Sequence, residues 1–463
     1  MADALWTSDE LAAATGGRAS GRFTATGVSI DTRTLEPGDL FVALDGVRDG
    51  HAFVDQALAK GATGALVSQA TPGPSVQVAD TQAALEQLGL AARDRATTAR
   101  RGAVTGSVGK TSVTQAVMAG LTRAGRAHSS VKSYNNHIGV PLTLARMPAK
   151  TERAVFEIGM NHADEIRPLV QMVRPHAVAI TTVGPVHTEN FPNGEAGVAR
   201  AKAEIFEGLE PGGVAILNAD NRWFDMLRAE AAGVGATIRT FGSAATCDAR
   251  LTGFRGAADG AIVEAIWRGH PLSVPILQTG QHWASNSLAV LLMLEALDVG
   301  LDDGLAALRT FEPLAGRGAE QVVHGATATF TLIDESYNAN PISMASAIAT
   351  LGARDTSGRR IVVLTDMLEL GPDGPAFHAA LAEPLSAARV DLVFCAGPLM
   401  KSLWDALPPT RRGGYAETAA ELARQLAQAV EAGDVVMVKG SNGSKAGLIA
   451  QALAELDTGG EGG

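Results

Sequence analysis

The chain reads as an α/β protein of three units: a central, mostly parallel sheet of phosphate-loop type, a small N-terminal α/β unit and a C-terminal Rossmann-like one. Two observations lead there. Short apolar runs recur between helix-length segments along the whole chain, the alternation that builds parallel sheets through βαβ crossovers. One of these runs, Ala103-Val104-Thr105, leads directly into Gly106-Ser107-Val108-Gly109-Lys110-Thr111-Ser112 and then a helical stretch to Ala124. Gly106 and Gly109 let the backbone curl, so that N–H groups and the positive end of a helix point at one spot and suit a phosphate. Lys110 would reach the outer phosphates as a point charge, and the Thr111 hydroxyl would ligate Mg²⁺. The full G-x-x-x-x-G-K-[ST] pattern wants glycine five residues before Gly109, where Val104 stands, so the loop is a shortened one. An ordinary glycine turn with a solvated lysine is the plainer alternative.

Bulk properties narrow the classes. A length of 463 residues leaves room for about three domains of ordinary size. Hydrophobic residues make up 46%, enough to fill several cores. Lys and Arg number 38 against 49 Asp and Glu, a net charge of −11, which argues against a nucleic-acid partner. An anionic ligand must then be met by a few placed cations and helix ends. The two cysteines, Cys247 and Cys395, suggest no disulfide framework and a reducing compartment. No basic-then-apolar leader opens the chain, and no apolar run reaches the roughly 18 residues of a membrane span. A soluble, cytoplasmic monomer is expected.

Residues 1–97 are expected to form the first unit. Thr7 and Glu10 have capping-box spacing before a helix. Gly27–Ile30, Leu40–Leu44 and Gly61–Ser68 read as strands, and Phe53–Lys60 as a helix. Asp31 and Arg33 alone would be a surface ion pair, and His51 a helix cap. Residues 98–313 form the nucleotide unit, with strands at Ala103–Thr105, Ala154–Ile158, Ala177–Thr182 and Val214–Leu217. Polar residues stand at their C-terminal ends, where such sheets bind ligands: Glu157, then His187, then Asn218 and Asp220. Asn135 and Asn136 lie in a segment between strands, and a helix over Gly280–Leu297 carries His282, Trp283 and Asn286 near its start. Residues 314–463 form the third unit, opening at Gly316-Arg317-Gly318, with strands at Thr329–Asp334, Arg360–Asp366 and Val435–Lys439. The glycine-rich tail, Asp457–Gly463, reads as disordered.

In order, over nearly the whole chain, these segments resemble the Mur ligase family of bacterial peptidoglycan synthesis. The family's first domain holds the UDP part of its substrate. SIDTR (Ser29–Arg33) and PGDLFVALDG (Pro37–Gly46) match that segment, which gives Ser29, Asp31 and Arg33 a role near the UDP-sugar. TGSVGKT matches the family's short phosphate loop, so the resemblance assigns Gly106–Ser112 to ATP and accounts for Val104. EIGMNH (Glu157–His162) and GPVHTENF (Gly184–Phe191) match its magnesium segments: Thr111 and Glu157 would hold a first Mg²⁺, and His187 would help hold a second. KAEIF (Lys202–Phe206) matches the stretch whose lysine is carbamylated in several members, which makes Lys202 a catalytic group and metal ligand. From spacing alone Lys202 is a helix-surface lysine paired with Glu195, Glu204 or Glu207.

NNHIGVPLTL (Asn135–Leu144) and SYNANPISM (Ser336–Met344) resemble the branch that adds D-alanyl-D-alanine, which places Asn135, Asn136, Tyr337, Asn338 and Asn340 at the substrate. Arg317 matches an arginine that approaches the ATP phosphates, Asp334 a nucleotide-contacting aspartate, and His282 with Asn286 the ATP-side G-x-H motif. The family commonly has Asn where Trp283 stands; an indole there would stack on the base instead. Lys439, in VKGS, is the candidate for the dipeptide carboxylate.

The resemblance implies an ADP-forming ligase that uses ATP and Mg²⁺ to join UDP-N-acetylmuramoyl-tripeptide to D-alanyl-D-alanine through an acyl phosphate and a tetrahedral intermediate. Lys110, Arg317, His187 and Lys202 would be its catalytic groups. The alternatives are another Mur ligase, a folylpolyglutamate synthetase-like ligase, or a phosphate-loop NTPase switch. Because Lys110 and Arg317 fall in different units, the third unit is expected to swing. Without ligands, Arg317 is expected to stand far from the loop.

Overall fold

A computed structural model describes residues 4–46, 48–131, 133–186, 188–257, 260–426 and 428–457. The expectation for the C-terminal tail falls almost entirely outside them.

The central sheet has nine strands. From one edge to the other they are His270–Ile276, Gly260–Trp267, Ala249–Ala257, Thr237–Gly242, Val214–Asn218, Ala177–Ile180, Arg100–Thr105, Arg153–Glu157 and Ala127–Ser129. Pairing is parallel from Ala127–Ser129 as far as Ala249–Ala257 and antiparallel in the last two pairs. The inner strands read as unbroken apolar runs because both faces are covered; Ala177–Ile180 is buried throughout. Helix Lys110–Ala124 and helix His282–Ala296 pack on one face, the second buried nearly all round. The opposite face is filled by Phe156, Ile180, Leu217 and Phe206.

The antiparallel arm, 249–276, is absent from the sequence reading. Its signal is there: Gly260–Trp267 alternates buried and half-buried residues, and Arg268-Gly269, both at positive φ, join Trp267 to His270 in a two-residue hairpin turn. A strand covered on one side alternates, whereas the buried parallel strands read as short apolar runs.

The N-terminal sheet runs Arg18–Ala19, Ser75–Gln77, Gly64–Val67, Asp39–Val42, Gly27–Ser29, parallel except for its first pair. The capping box at Thr7 and Glu10 forms as expected. His51 does not cap the next helix, Val54–Ala59, which has no side-chain cap; Asp49 caps the 3-10 turn Gly50–Phe53 that leads into it, and the imidazole ties Asp49 to the Ser68 N–H. The C-terminal sheet runs Ala319–His324, Thr329–Glu335, Val435–Lys439, Arg360–Thr365, Leu392–Ala396, Arg412–Ala416, with only the first pair antiparallel. No helix among the described residues is long and apolar enough to cross a membrane.

Candidate active site

Strand Arg100–Thr105 delivers the phosphate loop to the C-terminal edge of the central sheet, and helix Lys110–Ala124 leaves it. Gly106 sits at φ 150°, and a Cβ there would lie 2.0 Å from Thr181 Oγ1. Gly109 sits at φ 89° against the Asn286 amide. Both positions therefore require glycine. The neighbouring strand end holds the loop: Ser107 N–H donates to Thr182 O at 2.8 Å, and Thr181 Oγ1 donates to Val108 O at 2.5 Å. Asn218 Nδ2 braces the same turn through Thr181 O. Val104, where a longer loop would have glycine, is a fully buried strand residue.

Lys110 Nζ donates to Gly106 O at 2.8 Å, back across its own loop. Burial pushes its ammonium below the ordinary lysine value, Glu157 opposes that shift, and Arg317 adds to it. Glu157 ends its strand 1% exposed; Oε1 accepts from Asn135 Nδ2 at 2.7 Å, while Oε2 is buried with no partner among the described residues. A buried carboxylate oxygen left unpaired is costly unless a cation meets it. With the Thr111 hydroxyl it forms a hard-oxygen donor set of the kind Mg²⁺ takes. His187 lies outside the described residues.

Lys202 is not a surface lysine. It is 3% exposed in helix Glu195–Ala203 and, among the described residues, has no hydrogen-bond or ion-pair partner. The acids expected to pair with it are engaged elsewhere. Glu204 takes the Asp164 and Arg167 N–H groups, Glu207 the Arg167 guanidinium, and Glu195 the Trp223 indole. Burial, and then the Lys110 charge, drive its amine far below the ordinary lysine range.

The third unit closes the site. Arg317 does not stand away from the loop: its guanidinium lies 4.3 Å over the Tyr337 ring, and Nη2 is 3.4 Å from Ser133 Oγ. Tyr337 O–H donates to the same Ser133 oxygen at 3.0 Å, and Thr111 Oγ1 lies 3.1 Å from it. The two units are joined again where Ile342 abuts Gly184 and where Thr279 Oγ1 donates to Glu320. Between them lies a cavity of about 350 Å³ lined by the loop, Glu157, Asn135, His282, Asn286, Arg317 and Tyr337. A larger cleft of about 1250 Å³ adjoins it past His282.

Other expected residues serve the frame. Both oxygens of Asp334 accept backbone N–H groups, from Gly316 and Ser336, so it clamps the Arg317 turn; its neighbour Glu335 lines the cavity instead. Lys439 is buried and donates to Glu335 and to Asn338 O, both at 3.1 Å. Asn340 caps helix Pro341–Ala353, and Asn136 accepts from the N–H groups of Ile138 and Gly139. Trp283 does not offer a stacking face to a base. It is 3% exposed and packs on Phe311 in the central core.

Ser29, Asp31 and Arg33 lie outside the cavity wall. Ser29 is buried, and Arg33 forms an exposed ion pair with Asp31 at 2.6 Å. The segment 134–146 joins that unit to the centre: Arg146 donates to Val28 O, Tyr134 and Ile138 pack on the N-terminal core, and Asn135 reaches Glu157. Ser133, where Thr111, Arg317 and Tyr337 converge, is missing from the sequence reading.

A phosphate loop, an unpaired buried carboxylate oxygen and an arginine brought from a second unit define an enzyme that acts on a nucleotide's terminal phosphates. Family models described as "Mur ligase family, catalytic domain", "Mur ligase middle domain" and "Mur ligase, glutamate ligase domain" match residues 24–95, 104–294 and 320–442. The chain is 34% identical over 440 residues to the UDP-N-acetylmuramoyl-tripeptide–D-alanyl-D-alanine ligase of Escherichia coli (strain K12), covering 94% of this chain and 95% of that one. It is 32% identical to the enzyme of that name from Bacillus subtilis (strain 168), over 93% of each chain. The crystal structure of MurF from Acinetobacter baumannii matches with a TM-score of 0.84 at 28% identity, over 97% of this chain and 99% of that one. The chain belongs to the Mur ligase family and is an ATP-dependent ligase.

Proposed function

We propose that this ligase joins D-alanyl-D-alanine to UDP-N-acetylmuramoyl-tripeptide, forming ADP and phosphate, in cytoplasmic synthesis of the peptidoglycan precursor. The observation that carries the reading is the convergence of Lys110, Glu157 and Arg317, from two units, on one cavity. The relatives named for this reaction cover the chain almost end to end, including the first unit, which a nucleotide switch has no use for.

A carboxylate does not acylate an amine at neutral pH, because oxide would have to leave. Transfer of the γ-phosphoryl group to the terminal carboxylate of the tripeptide changes the leaving group to phosphate. The dipeptide amine then adds to the carbonyl, and the tetrahedral intermediate expels phosphate as the amide forms. The first step sets a carboxylate against an anionic phosphate. Lys110 and Arg317 supply positive charge fixed in place before the charge develops. Loop N–H groups and the start of helix Lys110–Ala124 orient the phosphates. Thr111 and Glu157 would hold Mg²⁺, with His187 for a second ion, and the metal would supply Lewis-acid neutralisation of the phosphate oxygens.

Lys202 fits this chemistry as a carbamate. Burial weakens its hold on a proton and so favours the neutral amine, the form that adds CO₂ with loss of a proton, and the anionic product would answer both the Lys110 charge and a cation. The UDP-sugar lies on the first unit by Ser29, Asp31 and Arg33, and the peptide follows the Tyr134–Asn136 strip to Glu157. Asn338 and Lys439 stand on the dipeptide side, with residues 1–97, 98–313 and 314–463 as the sugar, ATP and ligase domains.

Phosphate release measured with each acceptor omitted in turn tests the reading. Ligation requires both acceptors. Release without the dipeptide marks a hydrolytic switch, and no release with both present refutes the assignment.

A further inference from the structure

We propose that Ser133 is the positioning residue through which docking of the third unit is registered at the phosphate loop. The proposal rests on the nucleotide-site reading above. One hydroxyl meets three groups here: Thr111 Oγ1 at 3.1 Å on the loop, Tyr337 O–H at 3.0 Å and Arg317 Nη2 at 3.4 Å on the third unit. A serine hydroxyl offers two lone pairs and one proton, and a guanidinium only donates. With Tyr337 and Arg317 both donating, the lone pairs of Ser133 are filled, and its proton is left for Thr111 Oγ1. Thr111 then accepts from Ser133, and its own proton is turned away from that side. When the third unit leaves, Ser133 regains its lone pairs and the Thr111–Ser133 bond is free to run in either sense.

Docking therefore sets the direction of a hydrogen bond at the residue that, with Glu157, faces the nucleotide's cation. Coupling of this kind is reciprocal: what docking does to the loop, a loop-bound nucleotide does to docking. No other residue among the described ones bridges Thr111 to Arg317 and Tyr337 in this way. Ser133 touches no reacting atom in this account; it acts by orienting Thr111 and by seating Arg317.

The test is a double-mutant cycle on ADP affinity in the presence of Mg²⁺, read by calorimetry on the full chain. Ser133→Ala and Tyr337→Phe each remove one hydroxyl, and the second keeps the ring beneath Arg317. Each is expected to weaken ADP about 3- to 10-fold, in line with one hydrogen bond in a shared network. The double variant is expected to be no weaker than either single one, and Ser133→Thr to retain affinity. Small-angle scattering of Ser133→Ala with saturating ADP and Mg²⁺ is expected to show a larger radius than wild type. Losses that multiply in the double variant, or a Ser133→Ala protein with wild-type affinity, overturn the proposal. Should Ser133→Ala fail to fold, a Tyr337→Phe protein with unchanged ADP affinity overturns it alone. A wild-type chain that binds no ADP at all overturns the nucleotide-site reading instead.

Discussion

At the scale of single residues, two lysines 92 positions apart do different work. Lys110 is a charge aimed at phosphate. Lys110→Ala is expected to lower turnover at least ~10²-fold, the order of losing one fixed charge at a transition state, while the melting temperature changes little. A folded Lys110→Ala enzyme with near-normal turnover contradicts the site. Lys202 is buried, and burial together with the Lys110 charge lowers its affinity for a proton. Lys202→Ala is expected to abolish ligation, with partial rescue by acetate or formate; a fully active Lys202→Arg enzyme would show that the site wants positive charge. The shift also has a stability signature. The unfolded chain binds a proton on Lys202 that the folded chain does not, so between the folded value and 10.5 stability rises with pH. In CO₂-free buffer, Lys202→Met is expected to lose this part of the pH dependence and to melt higher than wild type at neutral pH. Denaturant titrations of both proteins from pH 6 to 10 check the slope; identical slopes contradict the assignment.

At the scale of elements, much of the site was legible because strand ends in a parallel sheet are punctuated by chemistry. Thr105 to Lys110, Glu157 and Asn218 each stand where an apolar run stops, and Ser107 to Lys110, Glu157 and Asn218 line the cavity. The antiparallel arm at 249–276 was not legible, since its half-covered strands alternate where the parallel strands form apolar runs. Ser133 could not be found from sequence either. Its partners on the third unit lie 184 and 204 residues away, and a serine in a polar loop has many uses. Asp334 shows the opposite difficulty: an acid at a strand end reads as a ligand group, yet backbone N–H groups occupy both its oxygens. The phosphate loop gives the sharpest prediction at this scale. Gly106→Ala places a Cβ on Thr181 Oγ1 at a positive φ, so it is expected to eliminate measurable ADP binding. Calorimetry that finds wild-type affinity in this variant contradicts the loop geometry.

At the scale of the whole molecule, the docked arrangement of the second and third units is the one in which Lys110 and Arg317 share a cavity. Both acceptors must reach a seam of about 350 Å³ between the docked units, beside the phosphate loop. The free protein is therefore expected to open, and scattering is expected to show a radius that contracts when nucleotide and UDP-substrate are both bound. Equal radii in the free and saturated protein contradict the swing. The central claim is chemical: the cavity exists to phosphorylate a carboxylate. The direct test is to label both oxygens of the tripeptide's terminal carboxylate with ¹⁸O, run the ligation to completion with D-alanyl-D-alanine, and weigh the phosphate released. The acyl-phosphate route carries one substrate oxygen into phosphate, so one ¹⁸O per phosphate is expected. Phosphate that carries no label has taken its oxygen from water, and that result would contradict the account.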